Sequence, residues 1–177
     1  MSVTVTPILF LDLDGTVRKG PDELNGRFVH GPGDVEVFDG VLDLLKAYKS
    51  KGWKIVSISN QGGIALGHVS DGDVSRAMGE TNRLCANLFD GMLWCPHYPT
   101  VYNRDKEDTW DNLCMCRKPR IGLVVTAFMN VQRQGLYTYP RACLFVGDRD
   151  EDLECSENAN IPFMLASDWR KIKPSEV

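Results

Sequence analysis

The chain has 177 residues, 43% of them hydrophobic and 25% charged, with a net charge of -4; that suits one compact domain with a real core and is too short for two ordinary ones. The mild negative balance argues against an extended nucleic-acid surface, which needs a clustered basic stripe, and no apolar stretch approaches the roughly 20 residues that span a bilayer. Met1 to Pro7 lacks the basic flank and apolar run of a signal peptide, so a cytoplasmic protein is expected, and its six cysteines point to metal binding ahead of disulfides.

Ile8 to Leu11 is a short apolar run that breaks into acidic residues and Gly15, as a buried parallel strand ending in a loop does; Asp12 then sits at the strand's C-terminal edge. Gly20 to Gly33 has no sustained period and reads as a loop or flap over that edge. Val41, Leu42, Leu44, Leu45 and Tyr48 recur at helical spacing with Gly52 as a stop, and Trp53 to Ser59 is the next strand. Ser70 followed by Asp73 resembles an N-cap pairing for a helix that carries Val74, Ala77, Met78, Thr81, Leu84, Cys85 and Leu88 on one face. A strand is expected at Gly91 to Cys95. Pro96 to Leu113 is polar and aperiodic, too long for an ordinary connection, which signals either function or an anchoring device. Pro119 fits the first turn of a helix reaching about Gln134. The apolar run Ala142 to Val146, a helix over Asp150 to Asn160 and a strand at Pro162 to Leu165 complete the chain. This alternation predicts an α/β fold, a three-layer Rossmann-like domain over 1–177 with a mostly parallel sheet and helices on both faces; ligands should bind beyond the carboxyl ends of the strands.

Asp12 and Asp14, one residue apart, lie just past a strand end and just before Gly15-Thr16. In extended backbone both side chains share a face. One carboxylate could attack phosphorus while the other protonates the leaving oxygen; the alternative is a loop that merely turns the chain. Ser57-Ile58-Ser59-Asn60-Gln61-Gly62-Gly63 ends a strand in small donors and glycines, which lets backbone N–H groups approach an anion, though a plain turn has the same composition. Arg117-Lys118-Pro119 alone would be a solvated basic pair. Gly147-Asp148 follows an apolar strand, and the acidic run from Asp148 to Glu154 also suits a helix N-terminus. Cys95-Pro96-His97 and Cys114-Met115-Cys116 supply the Cys₃His set of a closed tetrahedral zinc site, with a structural role because no ligand position stays open. The competing reading is coincidental burial, as for the isolated Cys85, Cys143 and Cys155.

Asp12-Leu13-Asp14-Gly15-Thr16 resembles motif one of the haloacid dehalogenase superfamily, Ser59-Asn60 its motif two, Lys118 the lysine of motif three, and Gly147-Asp148 with Asp152 its motif four. The resemblance implies a magnesium-dependent phosphatase, a hydrolase acting on phosphoric monoesters, with an aspartyl-phosphate on Asp12 and acid-base help from Asp14. Magnesium would be held by Asp12, the Leu13 carbonyl and Asp148, with Asp14 a weaker ligand and Asp152 a looser support. Ser59, Asn60, Arg117 and Lys118 would hold the phosphorylated substrate.

The Cys-Pro-His and Cys-Met-Cys-Arg-Lys-Pro segments resemble the zinc-bearing branch without a large cap domain, in which a zinc-anchored loop, here 95–116, takes the cap's place. That branch includes the heptose 1,7-bisphosphate 7-phosphatase and the histidinol-phosphate phosphatase, so the expected substrate is a small phosphorylated metabolite of carbohydrate or related metabolism, and the expected state a monomer or weak homodimer. Leu13 stands where both enzymes commonly carry Arg. Polynucleotide 3′-phosphatases share Asp-x-Asp-Gly-Thr and Arg-Lys-Pro and form an alternative, disfavoured by the zinc ligands and the missing basic stripe. A non-catalytic phosphometabolite-binding module is a further alternative, disfavoured by the intact Asp12 and Asp14. Arg18, Lys19 and Arg104 are candidates for a second phosphate or carboxylate. His30 falls in the flap, His68 reads as a solvated loop residue, and Trp110 is an aromatic stranded in a polar insertion.

Overall fold

The computed structural model describes residues 4–98 and 114–177. Arg104, Trp110 and the rest of 99–113 lie outside them.

The first strand, β1 (Ile8–Leu11), is buried along its whole length. Its side chains alternate: Leu9 and Leu11 enter one hydrophobic cluster, Ile8 and Phe10 the other, the period-two split of a strand covered on both faces. It is joined by β2 (Lys54–Asn60), β3 (Gly91–Cys95), β4 (Leu144–Gly147) and β5 (Phe163–Leu165). The sheet runs β3-β2-β1-β4-β5 and every pairing is parallel. The chain therefore builds outward from β1 in one direction and returns to build in the other. The resulting switch point lies at the carboxyl ends of β1 and β4, where open α/β sheets leave a crevice.

One face is covered by α1 (Val41–Ser50) and α2 (Asp71–Leu84), which contribute Val41, Leu44, Leu45, Tyr48, Val74 and Met78. The other is covered by α3 (Gly122–Arg133) and α4 (Asp150–Asn158), through Leu123, Val124, Ala127, Val131 and Cys155. Phe10 packs between Phe128 and Phe145, with ring centroids 5.6 and 6.1 Å away. Burying a side chain of that size contributes about 2–3 kcal/mol. Ser70 caps α2 as its spacing predicts, its Oγ accepting the Asp73 N–H at 3.1 Å. The flap is seated on the same helix, Leu24 and Val29 packing with Ala77.

Several boundaries differ from the sequence reading, and helix α2, expected to carry its face on to Leu88, ends at Leu84, before Ala86 and Asn87 turn to positive φ. Helix α3 starts at Gly122 rather than Pro119, because the preceding segment makes turns of its own: Arg120 N–H donates to Arg117 O (2.8 Å) and Gly122 N–H to Met115 O (2.9 Å). A Cβ at Gly122 would sit 2.4 Å from that Met115 oxygen, so only glycine fits. Pro140–Ala142 forms a 3-10 turn, which delays β4 to Leu144. The four-residue α5 (Ala166–Trp169), whose Trp169 is fully buried, went unread because it is too short to show a period. Among the described residues no helix is long and apolar enough to cross a membrane.

Candidate active site

The loop after β1 meets the loop after β4. Asp12 N–H donates to Val146 O at 3.0 Å, which sets its side chain beside the turn that carries Asp148. Asp12, Asp148 and Asp152 each bring a carboxylate oxygen within 4.8 Å of the others. Lys118 enters from the segment before α3, with Nζ 2.5 Å from Asp12 Oδ1, 2.6 Å from Asp152 Oδ1 and 2.8 Å from Ile58 O. Burial pushes the Asp12 carboxyl up to about 7, against the pull of Lys118. Asp148 is raised as well, first by burial and then by the Asp152 charge. Burial works to lower Lys118, but Asp12 and Asp152 reverse that and hold the ammonium above its usual range. Carboxylates crowded around one ammonium, with only oxygen donors, are the environment a hard divalent cation relieves.

Asp152 is more central than a loose support. Its Oδ2 accepts the N–H groups of Asp148 (3.1 Å) and Arg149 (3.2 Å), the capping-box contact at the start of α4, while Oδ1 faces Lys118. It thus shapes the Asp148 turn and supplies a counter-charge to Lys118. Gly15, at φ +90°, lets the β1 loop close over the same turn, since a Cβ there would fall 2.2 Å from Asp148 Oδ2.

Two expected metal contacts change. The Leu13 carbonyl accepts N–H donors from Thr16, Val17 and Arg18 at 3.2, 2.9 and 3.0 Å, so it is turned into its own loop rather than toward the carboxylates. The Asp14 side chain is outside the Asp12-Asp148-Asp152 group. It is held by Arg18, whose Nε and Nη2 lie 2.8 and 3.3 Å from its two oxygens, and by Gln61 Nε2 at 2.9 Å. Arg18 is therefore a buried partner of Asp14 and not a substrate ligand. Lys19 pairs with Glu36 at 2.8 Å on the exposed side.

Ser59 and Asn60 close β2 as expected, but their side chains divide the work. Ser59 Oγ accepts from Gln61 Nε2 at 2.8 Å and lines the cavity. The Asn60 amide is committed to the Lys118 backbone in both directions, accepting its N–H at 3.0 Å and donating to its carbonyl at 3.2 Å. Gln61, to which local pattern assigns no role, links Ser59 to Asp14. Gly62 opens space for Tyr98, whose ring would lie 2.7 Å from a Cβ there, and for Arg117 stacked over that ring. Arg170, unread in the sequence, donates to the carbonyls of Gly15 (2.7 Å) and Thr16 (3.0 Å) with its guanidinium over Phe38. No local signal points to a contact across 155 positions of sequence.

These groups open on a cavity of about 430 Å³ lined by Asp12, Asp14, Ser59, Asn60, Arg117, Lys118 and Arg149, together with the apolar Phe28 and Leu66, Tyr98, and the imidazoles of His30 and His68. Next to it stands the soft-donor cluster. Cys95 Sγ lies 3.5 Å from His97 Nδ1, 3.8 Å from Cys114 Sγ and 3.0 Å from Cys116 Sγ, and His97 Nδ1 is 3.3 Å from Cys116 Sγ. All six cysteines are free thiols, and Cys85, Cys143 and Cys155 stand apart from this group.

A family model described as polynucleotide kinase 3 phosphatase matches residues 7–165. The D-glycero-beta-D-manno-heptose-1,7-bisphosphate 7-phosphatase of Salmonella typhi is 30% identical over 158 residues, 88% of this chain and 77% of that protein. A probable D-glycero-D-manno-heptose-1,7-bisphosphate 7-phosphatase of Thermoplasma acidophilum is 30% identical over 168 residues, 90% of this chain and 89% of that one. In fold, the chain resembles the D,D-heptose 1,7-bisphosphate phosphatase from B. bronchiseptica, solved with magnesium and phosphate, at a TM-score of 0.71 and 24% identity over 90% of this chain and 80% of that one. Parallel sheet, switch-point carboxylates and relatives agree: the chain belongs to the polynucleotide kinase 3 phosphatase family, within the haloacid dehalogenase-type phosphatases.

Proposed function

We propose that the chain, acting as one domain, hydrolyses a small phosphorylated sugar, of the kind its relatives' names describe, through a phosphoryl group carried on Asp12. The observation that carries this reading is Asp12 itself: a buried carboxylate at the switch point, 2.5 Å from Lys118, that still lines the cavity. An Asp12 oxygen bonds to phosphorus as the ester oxygen leaves, and Asp14 supplies the leaving oxygen's proton. Water then attacks the aspartyl-phosphate, giving its proton to Asp14 and releasing inorganic phosphate. Ser59 Oγ and Lys118 Nζ stabilise the transferring group, whose loose transition state depends on positioning and charge. Asn60 acts through Lys118, whose backbone it holds, and Arg117 and Arg149 face the remainder of the substrate.

Asp12 and Asp148 would hold magnesium, with Asp152 fixing the Asp148 turn; the crowding of these carboxylates is what fits the ion to the site. When bound, the cation screens the substrate phosphate from the carboxylates. Cys95, His97, Cys114 and Cys116 would hold a structural zinc: their four donor atoms lie within 4.8 Å of one another and include no disulfide.

The test is phosphate release from a panel of sugar bisphosphates, sugar monophosphates, histidinol phosphate and 3′-phosphorylated oligonucleotides. Highest kcat/KM on a sugar phosphate is expected. Preference for the oligonucleotides would move the reading to the activity in the family model's description, and no turnover of any substrate would overturn it. Acid-quenched enzyme should carry hydroxylamine-labile phosphate in the wild type and none in Asp12→Asn.

A further inference from the structure

Arg18 is fully buried, and burying a guanidinium costs several kcal/mol unless it is well paired. Its partners define a purpose. Nε and Nη2 form a fork on the two oxygens of Asp14, at 2.8 and 3.3 Å, and Nη1 donates to Thr81 Oγ1 at 2.9 Å. Thr81 in turn donates to Ala77 O at 2.8 Å, so the guanidinium is anchored to α2. Gln61 Nε2 takes a further position on Asp14 Oδ2 at 2.9 Å. A carboxylate offers about four acceptor positions; among the described residues Arg18 and Gln61 occupy three here. Asp14 lines the cavity, which leaves the remaining position to a substrate atom.

We propose that Arg18, braced by Thr81, is a positioning residue that fixes the plane of the Asp14 carboxylate so that its one uncommitted position faces the leaving-group oxygen. The planar fork matters, because a lysine ammonium is a point charge that would attract Asp14 without setting its orientation. The proposal rests on the acid-base reading of Asp14 given above. It makes Arg18 matter most when the leaving oxygen is hardest to expel unprotonated.

The test compares kcat/KM for p-nitrophenyl phosphate, a good leaving group, with that for phenyl phosphate, a poor one of nearly the same shape. Arg18→Lys should lose about 10-fold or more additional activity on phenyl phosphate, within the range that general acid catalysis supplies. Thr81→Val, which keeps the ion pair and removes only the anchor, should shift the ratio the same way by a smaller factor. Equal losses on both substrates, or none, in Thr81→Val and in whatever Arg18→Lys folds would overturn the proposal. Thermal melts identify folded protein, and Thr81→Val decides alone if Arg18→Lys does not fold. Asp14→Asn separates the two levels: a selective loss there with equal losses in the Arg18 and Thr81 variants sinks only the positioning role, whereas an unselective Asp14→Asn sinks the acid-base reading itself.

Discussion

The carboxylate centre and the cysteine-histidine cluster flank one short stretch, Cys116-Arg117-Lys118, and are built on opposite principles. The first gathers hard oxygen donors around a single buried ammonium and opens on a cavity. The second gathers three thiols and an imidazole whose donor atoms lie within 4.8 Å of one another, and none of the four lines that cavity. On the function proposed above, the difference separates a centre for chemistry from one for holding shape. They are nonetheless coupled: Cys95 pairs in register with Asn60, Asn60 clamps the Lys118 backbone, and Arg117 Nη1 donates to His97 O at 3.1 Å. The cluster thereby delivers Lys118 to Asp12 from a segment that has no strand or long helix of its own.

The sharpest break of this comparison removes Asp12. Asp12→Asn should lose at least about 1,000-fold in phosphate release, as expected for a nucleophile, while its melting temperature stays close to wild type because a charge has been taken out of a crowded group. Retained turnover would strip Asp12 of its role. The soft-donor centre should behave the other way, stability and activity falling together. Cys116→Ser, or removal of zinc by chelation, should lower the melting temperature by about 10 °C or more, and metal analysis of untreated protein should find about one zinc per chain. Full stability in metal-stripped protein would make the cluster a coincidence of buried thiols.

Lys118 tests the link between the two. Lys118→Met leaves Asp12 and Asp152 buried without their counter-ion and should cost about 3–5 kcal/mol in urea unfolding, in addition to activity. Adding Asp152→Asn should return part of that stability, and no recovery would show that the pair is not coupled. The smallest effect belongs to a residue outside both centres. Asp90 joins Lys49 (2.6 Å), Lys54 (3.1 Å) and the Ile55 N–H (2.8 Å) where β2 begins. Burial alone would raise its carboxyl, but those partners hold it below the ordinary value. Its contribution is thus fully present above the unfolded carboxylate pKa of about 3.9 and is lost as the pH falls through the lower folded value. Asp90→Asn should cost about 1 kcal/mol at neutral pH and nearly nothing in strong acid; a difference that persists in acid would show that packing, not charge, is at work.

Much of this was legible because it is written in local pattern. The strands β1 and β4 are short apolar runs, and a buried parallel strand needs nothing more. The site residues Asp12, Ser59, Cys95 and Asp148 stand at or just past strand ends, so the runs themselves locate them. Local pattern does not carry the direction in which a group points. The family resemblance gives the Leu13 carbonyl to metal, yet its oxygen accepts from the N–H groups of Thr16, Val17 and Arg18 in the turn that follows it. Asn60 lines the cavity, yet its side-chain amide is committed to the Lys118 backbone across 58 positions. Neither outcome has a periodicity to betray it.

The sequence by itself determined the strand and helix order, the parallel sheet and the chemical type of each donor, because hydrophobic spacing and residue identity are local properties. Only the tertiary structure decided which donors face one another. The switch point between β1 and β4 brings Asp12 to Asp148, burial turns Arg18 from a substrate candidate into the partner of Asp14, and α5 returns Arg170 to the Gly15 loop. Those choices rest on long-range packing, in which a charged group finds its partner wherever the fold excludes water from both.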